Sequence, residues 1–308
     1  MTPASPQAPD SGMLNAPSGW RPDAVAASLD SRWRTPVLLT TTGSTNDDCA
    51  QIAQRRSLAT GEWLLVASAH QSAGRGRRGH DWSTEAGAGL LFSIATRLHV
   101  PAIRWPSASL VVGFAMIEWL RELLPTDDAI ELGVKWPNDL LVGPAHRKLG
   151  GILCERVLAP EAAGDEALWI AGVGLNLRRP QTGRLPTFTA GLLELMPNDA
   201  PAEMDASALL GRVASRIQAH VDAWQLRGGF LLPEVHGAAL RFCGVEVGLD
   251  LGDGRRVPAW LCGIDRTGAL RVREVVAGRP TGPERPLTPL RILDAQTHPP
   301  WRAHLPHE

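Results

Sequence analysis

There is no tyrosine in this 308-residue chain, so no phenol can act as its acid, base or nucleophile. Cysteine is scarce too. Cys49, Cys154, Cys243 and Cys262 are the only four; no two have C-x-x-C spacing, and none stands in a Cys/His array with zinc-site spacing. So few in so long a chain argue against a disulfide framework and for reduced, mostly buried thiols in a reducing compartment. Charge of either sign is not in excess: 31 Lys+Arg against 32 Asp+Glu leave a formal net charge of −1. A dedicated nucleic-acid binder is usually more basic, which leaves room only for a local basic patch. Long apolar runs are missing. Leu110–Ile117 has eight residues and stops at Glu118, against the roughly 20 needed to span a bilayer. The N-terminal segment is rich in Pro, Ala and Ser and has neither a basic nor an apolar region of secretory type. The chain reads as a soluble cytoplasmic protein.

What is present supports a globular fold. Hydrophobic residues make up 44% and charged residues 20%, enough to bury a sizeable core in one large domain or two smaller ones. Residues 1–20 read as a flexible tail, and Arg21–Trp33 as a short helix with Pro22 in its first turn. Strands are expected over 36–41, 63–69, 90–96, 134–142, 149–157 and 168–177, and helices over 47–56, 106–124 and 206–224. From about residue 237 the texture changes to short strands (245–251, 256–264, 269–276, 287–292) broken by Gly-Asp, Asp-Gly and Thr-Gly turns, a barrel-like β-domain. The expected organisation is 1–34 tail and helix, 35–236 main domain, 237–294 β-domain and 295–308 tail.

Five segments carry chemistry. The first, Gly74-Arg75-Gly76-Arg77-Arg78-Gly79, followed by Trp82, sits between two apolar strands. Its glycines permit close approach, and its planar arginine donors suit carboxylate and phosphate oxygens. It is expected to be mobile, with little to pack and much to repel, and to order over an anionic ligand; a solvated basic turn or an RGG-like nucleic-acid contact is the plainer account. In Lys135-Trp136-Pro137-Asn138-Asp139, Pro137 stops the ladder and presents Asn138 and Asp139 beside a cation. In Lys148-Leu149-Gly150-Gly151-Ile152-Leu153, a lysine precedes a strand over which a ligand or chain can lie close. Gly172-Val173-Gly174-Leu175-Asn176 places small and polar residues in an apolar run. Gly43-Ser44-Thr45-Asn46 reads as a helix cap, with Asp47 completing a loose capping box, and a helix N-terminus is also an anion site. Each admits an ordinary structural explanation when taken alone.

Together and in this order, these motifs resemble the biotin protein ligases over residues 36–293, and the small β-domain resembles that family's SH3-like domain. The resemblance implies an α+β fold: a biotin/lipoate ligase-like catalytic domain with a mixed sheet and packed helices, plus an SH3-like barrel. It implies an ATP-dependent ligase that makes biotinyl-5′-adenylate, with Mg²⁺, and passes the biotinyl group to one lysine of a biotin carboxyl carrier protein. Attraction to fixed cations must offset the repulsion of carboxylate and triphosphate. Carried over by motif, Ser44, Thr45, Asn46 and Gln71 should line the biotin pocket, flanked by Gly172 and Gly174. Arg75, Gly76 and Arg77 should meet the biotin carboxylate and α-phosphate, and Lys148 the reacting oxygens. Lys135 should be a further cation, Trp82 should stack by the adenine, and Arg78, Asn138 and Asn176 should hold the nucleotide. Asp139 should orient the acceptor amine or a metal, whose ligands stay unknown. No covalent enzyme intermediate is expected, since Ser44 and Cys154 lack an adjacent base.

This sequence departs from the pattern in two places. The loop continues into His80-Asp81 rather than two basic residues, which lowers its charge and should weaken adenylate retention, and Gly150 stands where Ala is also common. A proline-rich stretch of about 35 residues cannot hold a winged three-helix domain, so no DNA-binding activity is expected. Two other functions compete. A lipoate or octanoate transferase shares the fold, but the Lys135–Asp139 box and the Gly74–Gly79 loop argue for biotin. A nucleic-acid binder using the Arg/Gly loop would show steep salt dependence.

Overall fold

The computed structural model of the chain describes residues 19–125, 130–157, 166–180, 189–196, 205–251, 256–287 and 291–292. In chain order the elements are α1 (Pro22–Ala26), β1 (Val37–Leu39), α2 (Thr45–Arg55), β2 (Trp63–Ser68), β3 (Gly89–His99), α3 (Ala108–Leu123), β4 (Leu132–Lys135), β5 (Asp139–Val142), β6 (Arg147–Val157), β7 (Glu166–Asn176), α4 (Ala206–Leu226), α5 (Pro233–His236), β8 (Glu246–Asp250), β9 (Arg256–Ile264), β10 (Leu270–Val276), β11 (Arg279–Leu287) and β12 (Arg291–Ile292). They form a seven-stranded mixed sheet in the order β1-β2-β3-β7-β6-β5-β4, parallel only between β1 and β2, and a five-stranded antiparallel sheet in the order β11-β10-β9-β8-β12. Among the described residues, no helix is long and apolar enough to cross a membrane.

Strands buried on both faces must be apolar at nearly every position, and β2, with all of Trp63–Ser68 buried, reads that way. Alternation divides its side chains. Trp63, Leu65 and Ala67 join the main core, which contains Leu110, Phe114 and Ile117 of α3 and Leu210, Val213 and Ile217 of α4. Leu64 and Val66 turn the other way, with Val37, Ala95, Leu168 and Ile170, onto Cys49 and Ala53 of α2. The larger sheet thus has a face sealed by α3 and α4 and a face that α2 covers in part. The main core continues without a break into the smaller sheet through Val247, Leu249, Leu261, Ile264, Leu270 and Val272.

Several expected elements differ from those observed. The helix expected over 21–33 ends at Ala26, with Ala27 as its C-cap; further on, the Asp30 side chain holds a separate turn, accepting from the Arg32 N–H at 2.9 Å. The expected tail over 1–20 lies outside the described residues up to 18, but Trp20 is no tail: it is buried, and its Nε1 donates to Leu39 O at 3.2 Å. Trp33 is buried as well, against Trp63 and hydrogen-bonded to Gln218 Oε1 at 2.6 Å. The single strand expected over 134–142 is a hairpin, with β4 and β5 joined by a turn in which the Asn138 N–H donates to Lys135 O at 3.1 Å. Pro137, without an N–H, sits in that turn rather than in a ladder. β11 was not expected at all. Its sequence, RPTGPERPL, carries prolines, a glycine and charges; it is an exposed edge strand, where proline costs no ladder bond. The tail expected over 295–308 lies outside the described residues.

Candidate functional site

Register places the chemistry. Direct pairing lines up Lys135, Asp139, Gly151, Gly174, Leu91, Ser68 and Leu39 in one row across the larger sheet. Paired residues share a face, and this is the α2 face. Two residues along β7, Gly172 pairs with Ser93 and Leu153. At this end of the sheet, past the reach of α2, the strands carry glycine, serine and charged residues where apolar side chains would otherwise stand.

The glycines make a bare floor with specific tenants. A Cβ on Gly174 would fall inside the Trp82 indole, and one on Gly172 would fall on the Asn46 amide oxygen. A Cβ on Gly151 would lie 3.1 Å from Trp82 Cζ3. Trp82 therefore lies flat on the floor. Its Nε1 is buried with no hydrogen-bond partner among the described residues, a donor that a ligand atom could satisfy.

The start of α2 overhangs this floor. Ser44 is the N-cap residue, but its side chain makes no cap bond, so the expected capping box with Asp47 does not form. The cap comes from the loop: Gln71 Oε1 accepts from the Thr45 N–H at 2.8 Å and from Thr45 Oγ1 at 3.0 Å. Ser44, Thr45 and Asn46 are all buried. Ser93 Oγ lies 2.8 Å from Thr45 Oγ1 and 2.6 Å from Asn46 Oδ1.

The Arg/Gly loop folds as a small hairpin over the floor, with Arg75 bridged to Asp81, Gly76 N–H donating to His80 O at 2.6 Å and Trp82 N–H donating to Gly74 O at 2.9 Å. The expectation that it has little to pack does not hold. Arg75 Nη2 donates to Asp47 Oδ1 at 2.6 Å and to Glu155 Oε2 at 3.1 Å. Arg77 Nη1 donates to Asn138 Oδ1 at 3.4 Å, and Arg78 reaches Asp250 of the smaller sheet at 3.9 Å. Burial first, then the positive charge of Arg78, holds the Arg77 guanidinium below its usual range. Its side chain donates to a neutral amide rather than a carboxylate, and an arriving anion would favour its charged form.

On the far side of the floor, Lys148 Nζ forms an ion pair with Asp139 Oδ1 at 2.7 Å and lies 5.6 Å from the Trp82 ring centre. Lys135 shares this face as the direct partner of Asp139. The two asparagines expected at the nucleotide end turn their amide nitrogens to the protein. Asn138 Nδ2 donates to Ile152 O at 3.0 Å. Buried Asn176 Nδ2 donates to Ala190 O at 3.2 Å and Lys148 O at 3.5 Å, tying the Lys148 backbone to the neighbouring segment. Burial pushes the Cys154 thiol up to about 12, so it stays protonated and unreactive near neutrality. Among the described residues, no group of three or more His, Cys, Asp or Glu could hold a metal ion.

The structure thus gathers the residues of all five motifs around one floor, with Gly76 in the loop hairpin above it. Sequence reasoning missed Ser93 and Glu155 and gave Asp47 only a capping role. The signal for Ser93 was a lone hydroxyl in the apolar run GLLFSIA; Glu155 carried none beyond strand alternation, which puts it on the face of Gly151 and Leu153.

Comparison with known proteins identifies the family. The family model described as the biotin/lipoate A/B protein ligase family matches residues 41–176. The biotin–[acetyl-CoA-carboxylase] ligase of Mycobacterium tuberculosis is 32% identical over 241 residues, which cover 78% of this chain and 84% of that protein. The bifunctional ligase/repressor BirA of Escherichia coli is 32% identical over 209 residues, covering 67% of this chain and 60% of its own. Among solved structures, a biotin protein ligase from Aquifex aeolicus superposes with a TM-score of 0.60 at 20% identity, over 86% of this chain and all 100% of that one, a likeness of fold. The chain belongs to the biotin/lipoate A/B protein ligase family and, within it, to the biotin protein ligases.

Proposed function

We propose that the chain joins biotin to ATP, giving biotinyl-5′-adenylate and pyrophosphate, and then passes the biotinyl group to one lysine of a biotin carboxyl carrier domain. The observation that carries this reading is the glycine floor, with a polar, buried Asn46/Thr45/Gln71/Ser93 corner at one end and Arg75, Arg77 and Lys148 around it. A ureido ring needs donors and acceptors in a fixed pattern; the corner supplies them. A carboxylate meeting an α-phosphate needs cations already in place; the loop and Lys148 supply those. The biotin ligase of Aquifex aeolicus has been solved with biotin and ATP together, at 23% identity to this chain and a TM-score of 0.57.

In this reading Ser44, Thr45, Asn46 and Gln71 bind the biotin head over Gly172 and Gly174. Arg75, Gly76 and Arg77 receive the carboxylate and α-phosphate. Lys148 stabilises charge developing on the reacting oxygens, with Lys135 as a further cation. Trp82 leaves the floor to stack by the adenine, and Arg78, Asn138 and Asn176 bound the nucleotide end. Asp139, which holds Lys148, orients the acceptor amine. Asp139 is already paired with Lys148 and no carboxylate cluster stands among the described residues, so magnesium would be held chiefly by the ATP phosphates that carry it in. When bound, the ion would screen the phosphate charge. Residues 35–236 serve as the catalytic unit and 237–294 as an SH3-like unit, and the protein works in the cytoplasm without DNA.

The test is pyrophosphate release that requires biotin and ATP together, followed by labelling of a single lysine on a carrier domain. Release with lipoate or octanoate in place of biotin would overturn the substrate assignment.

A further inference from the structure

Glu155 has no part in the roles above, yet it touches two of the groups that have. It projects from β6 on the face of Gly151, and its Oε2 accepts from Asn46 Nδ2 at 2.6 Å and from Arg75 Nη2 at 3.1 Å. Asn46 is only 4% exposed, and its amide nitrogen has two hydrogens. One goes to Glu155; the other goes to Leu153 O at 3.3 Å. A carboxylate and a backbone carbonyl can only accept, so the nitrogen must face them and the amide oxygen must face the floor, where it accepts from Ser93 Oγ at 2.6 Å. What Asn46 can offer a ligand is therefore the oxygen's second lone pair, an acceptor and no donor. Arg75 gives Glu155 and Asp47 only its Nη2, which leaves Nη1 and Nε for a ligand anion.

We propose that Glu155 is a positioning residue that fixes the Asn46 amide as an acceptor over the glycine floor and holds Arg75 above it with donors to spare. This rests on reading the floor as the biotin site. Asn46 then selects for a ring N–H of the ureido group and rejects an analogue whose ring atom at that place cannot donate.

The full-length chain tests it with biotin and with the two cyclic carbamates in which oxygen replaces one or the other ring N–H. A site whose acceptor is matched to a substrate N–H discriminates strongly against its loss, so the wild type should prefer biotin over one carbamate by ~100-fold or more in kcat/KM for pyrophosphate release. In Glu155→Ala only the longer bond to Leu153 O still holds the Asn46 nitrogen outward, so the amide can turn its donor inward. That preference should fall to ~10-fold or less, with KM for biotin raised ~30-fold and kcat within about threefold of wild type. Glu155→Gln keeps an acceptor for Asn46, so the preference should return near the wild-type value while Arg75 is held less firmly. A merely structural role would lower kcat in both variants and leave the preference unchanged; that result, or an unchanged preference with normal kcat, overturns the proposal. If Glu155→Ala does not fold, Glu155→Asp, whose shorter arm cannot reach both partners, replaces it and should show the same loss of preference. A wild type that makes no adenylate from biotin would instead refute the site reading itself.

Discussion

Gly174 and Leu175 are adjacent on β7 and face opposite sides of one sheet. Leu175 is fully buried in the main core, among residues whose job is to exclude water. Gly174 lies under Trp82, in a row with Gly151, Asp139 and Lys135. One face therefore stores stability and the other forgoes packing to leave room. A strand can serve both ends because alternation lets each face be written independently.

If that division is real, substitutions on the two faces should fail in different ways. The largest effect is expected at Lys148. Lys148→Ala removes the cation assigned to the reacting oxygens and should slow adenylate formation by about 10²–10³-fold, while the melting temperature stays close to wild type because a partly exposed ion pair contributes only ~1 kcal/mol. Pyrophosphate release at the wild-type rate would take Lys148 out of the chemistry. Next, Leu175→Ala should cost about 2–5 kcal/mol in urea unfolding yet retain near-normal kinetics below its transition. Gly174→Ala should do the reverse: unfolding free energy within about 1 kcal/mol of wild type, because Trp82 can move off the floor, but KM for biotin up ~10-fold as the added methyl takes the space assigned to the biotin head. Equal losses of stability from the two neighbours would dissolve the distinction between faces. Arg77→Gly should produce a smaller effect, ~10-fold or less, as adenylate escapes and acylates an unrelated protein such as albumin at matched adenylate production; unchanged bystander labelling would remove its retention role.

The smallest effect concerns acid. His236 stacks on Phe114 with ring centres 4.6 Å apart, and burial, then the charge of His220, lowers it from 6.5 to about 4. The unfolded chain takes up this proton first. The contribution is thus present above pH ~6.5 and is lost as pH falls towards 4, by about 1–2 kcal/mol after allowing for partial exposure. His220, also lowered chiefly by burial, acts in the same direction. His236→Phe should flatten the loss between those pH values in thermal melts; an unchanged slope would assign acid sensitivity elsewhere.

Much of the fold and of the site is legible in the amino-acid order alone. Apolar runs announce β2, β3, β6 and β7, and helical spacing announces α3 and α4, because burial on both faces or along one stripe leaves a strong local pattern. The five motifs are legible since each combines glycine with charged or amide residues inside apolar surroundings. What escapes depends on distant partners. β11 is defined only by pairing with β10, the cap of α2 comes from Gln71 across the chain, and Glu155 matters only through Asn46 and Arg75.

One hydrophobic cluster runs from α3 and the larger sheet into Val247, Leu261 and Leu270 of the smaller one. Trp136 Nε1 also donates to Gly268 O at 2.9 Å across the same boundary, and Arg104 and Arg266 flank the Phe230 ring at 3.8 Å and 3.7 Å. Units that share a core lose it together. Although the sequence changes texture near residue 237, the two sheets should unfold cooperatively, so that heat which loosens the smaller sheet also withdraws the turn that presents Asn138 and Asp139. Thermal inactivation and loss of the C-terminal strands would then be one event rather than two.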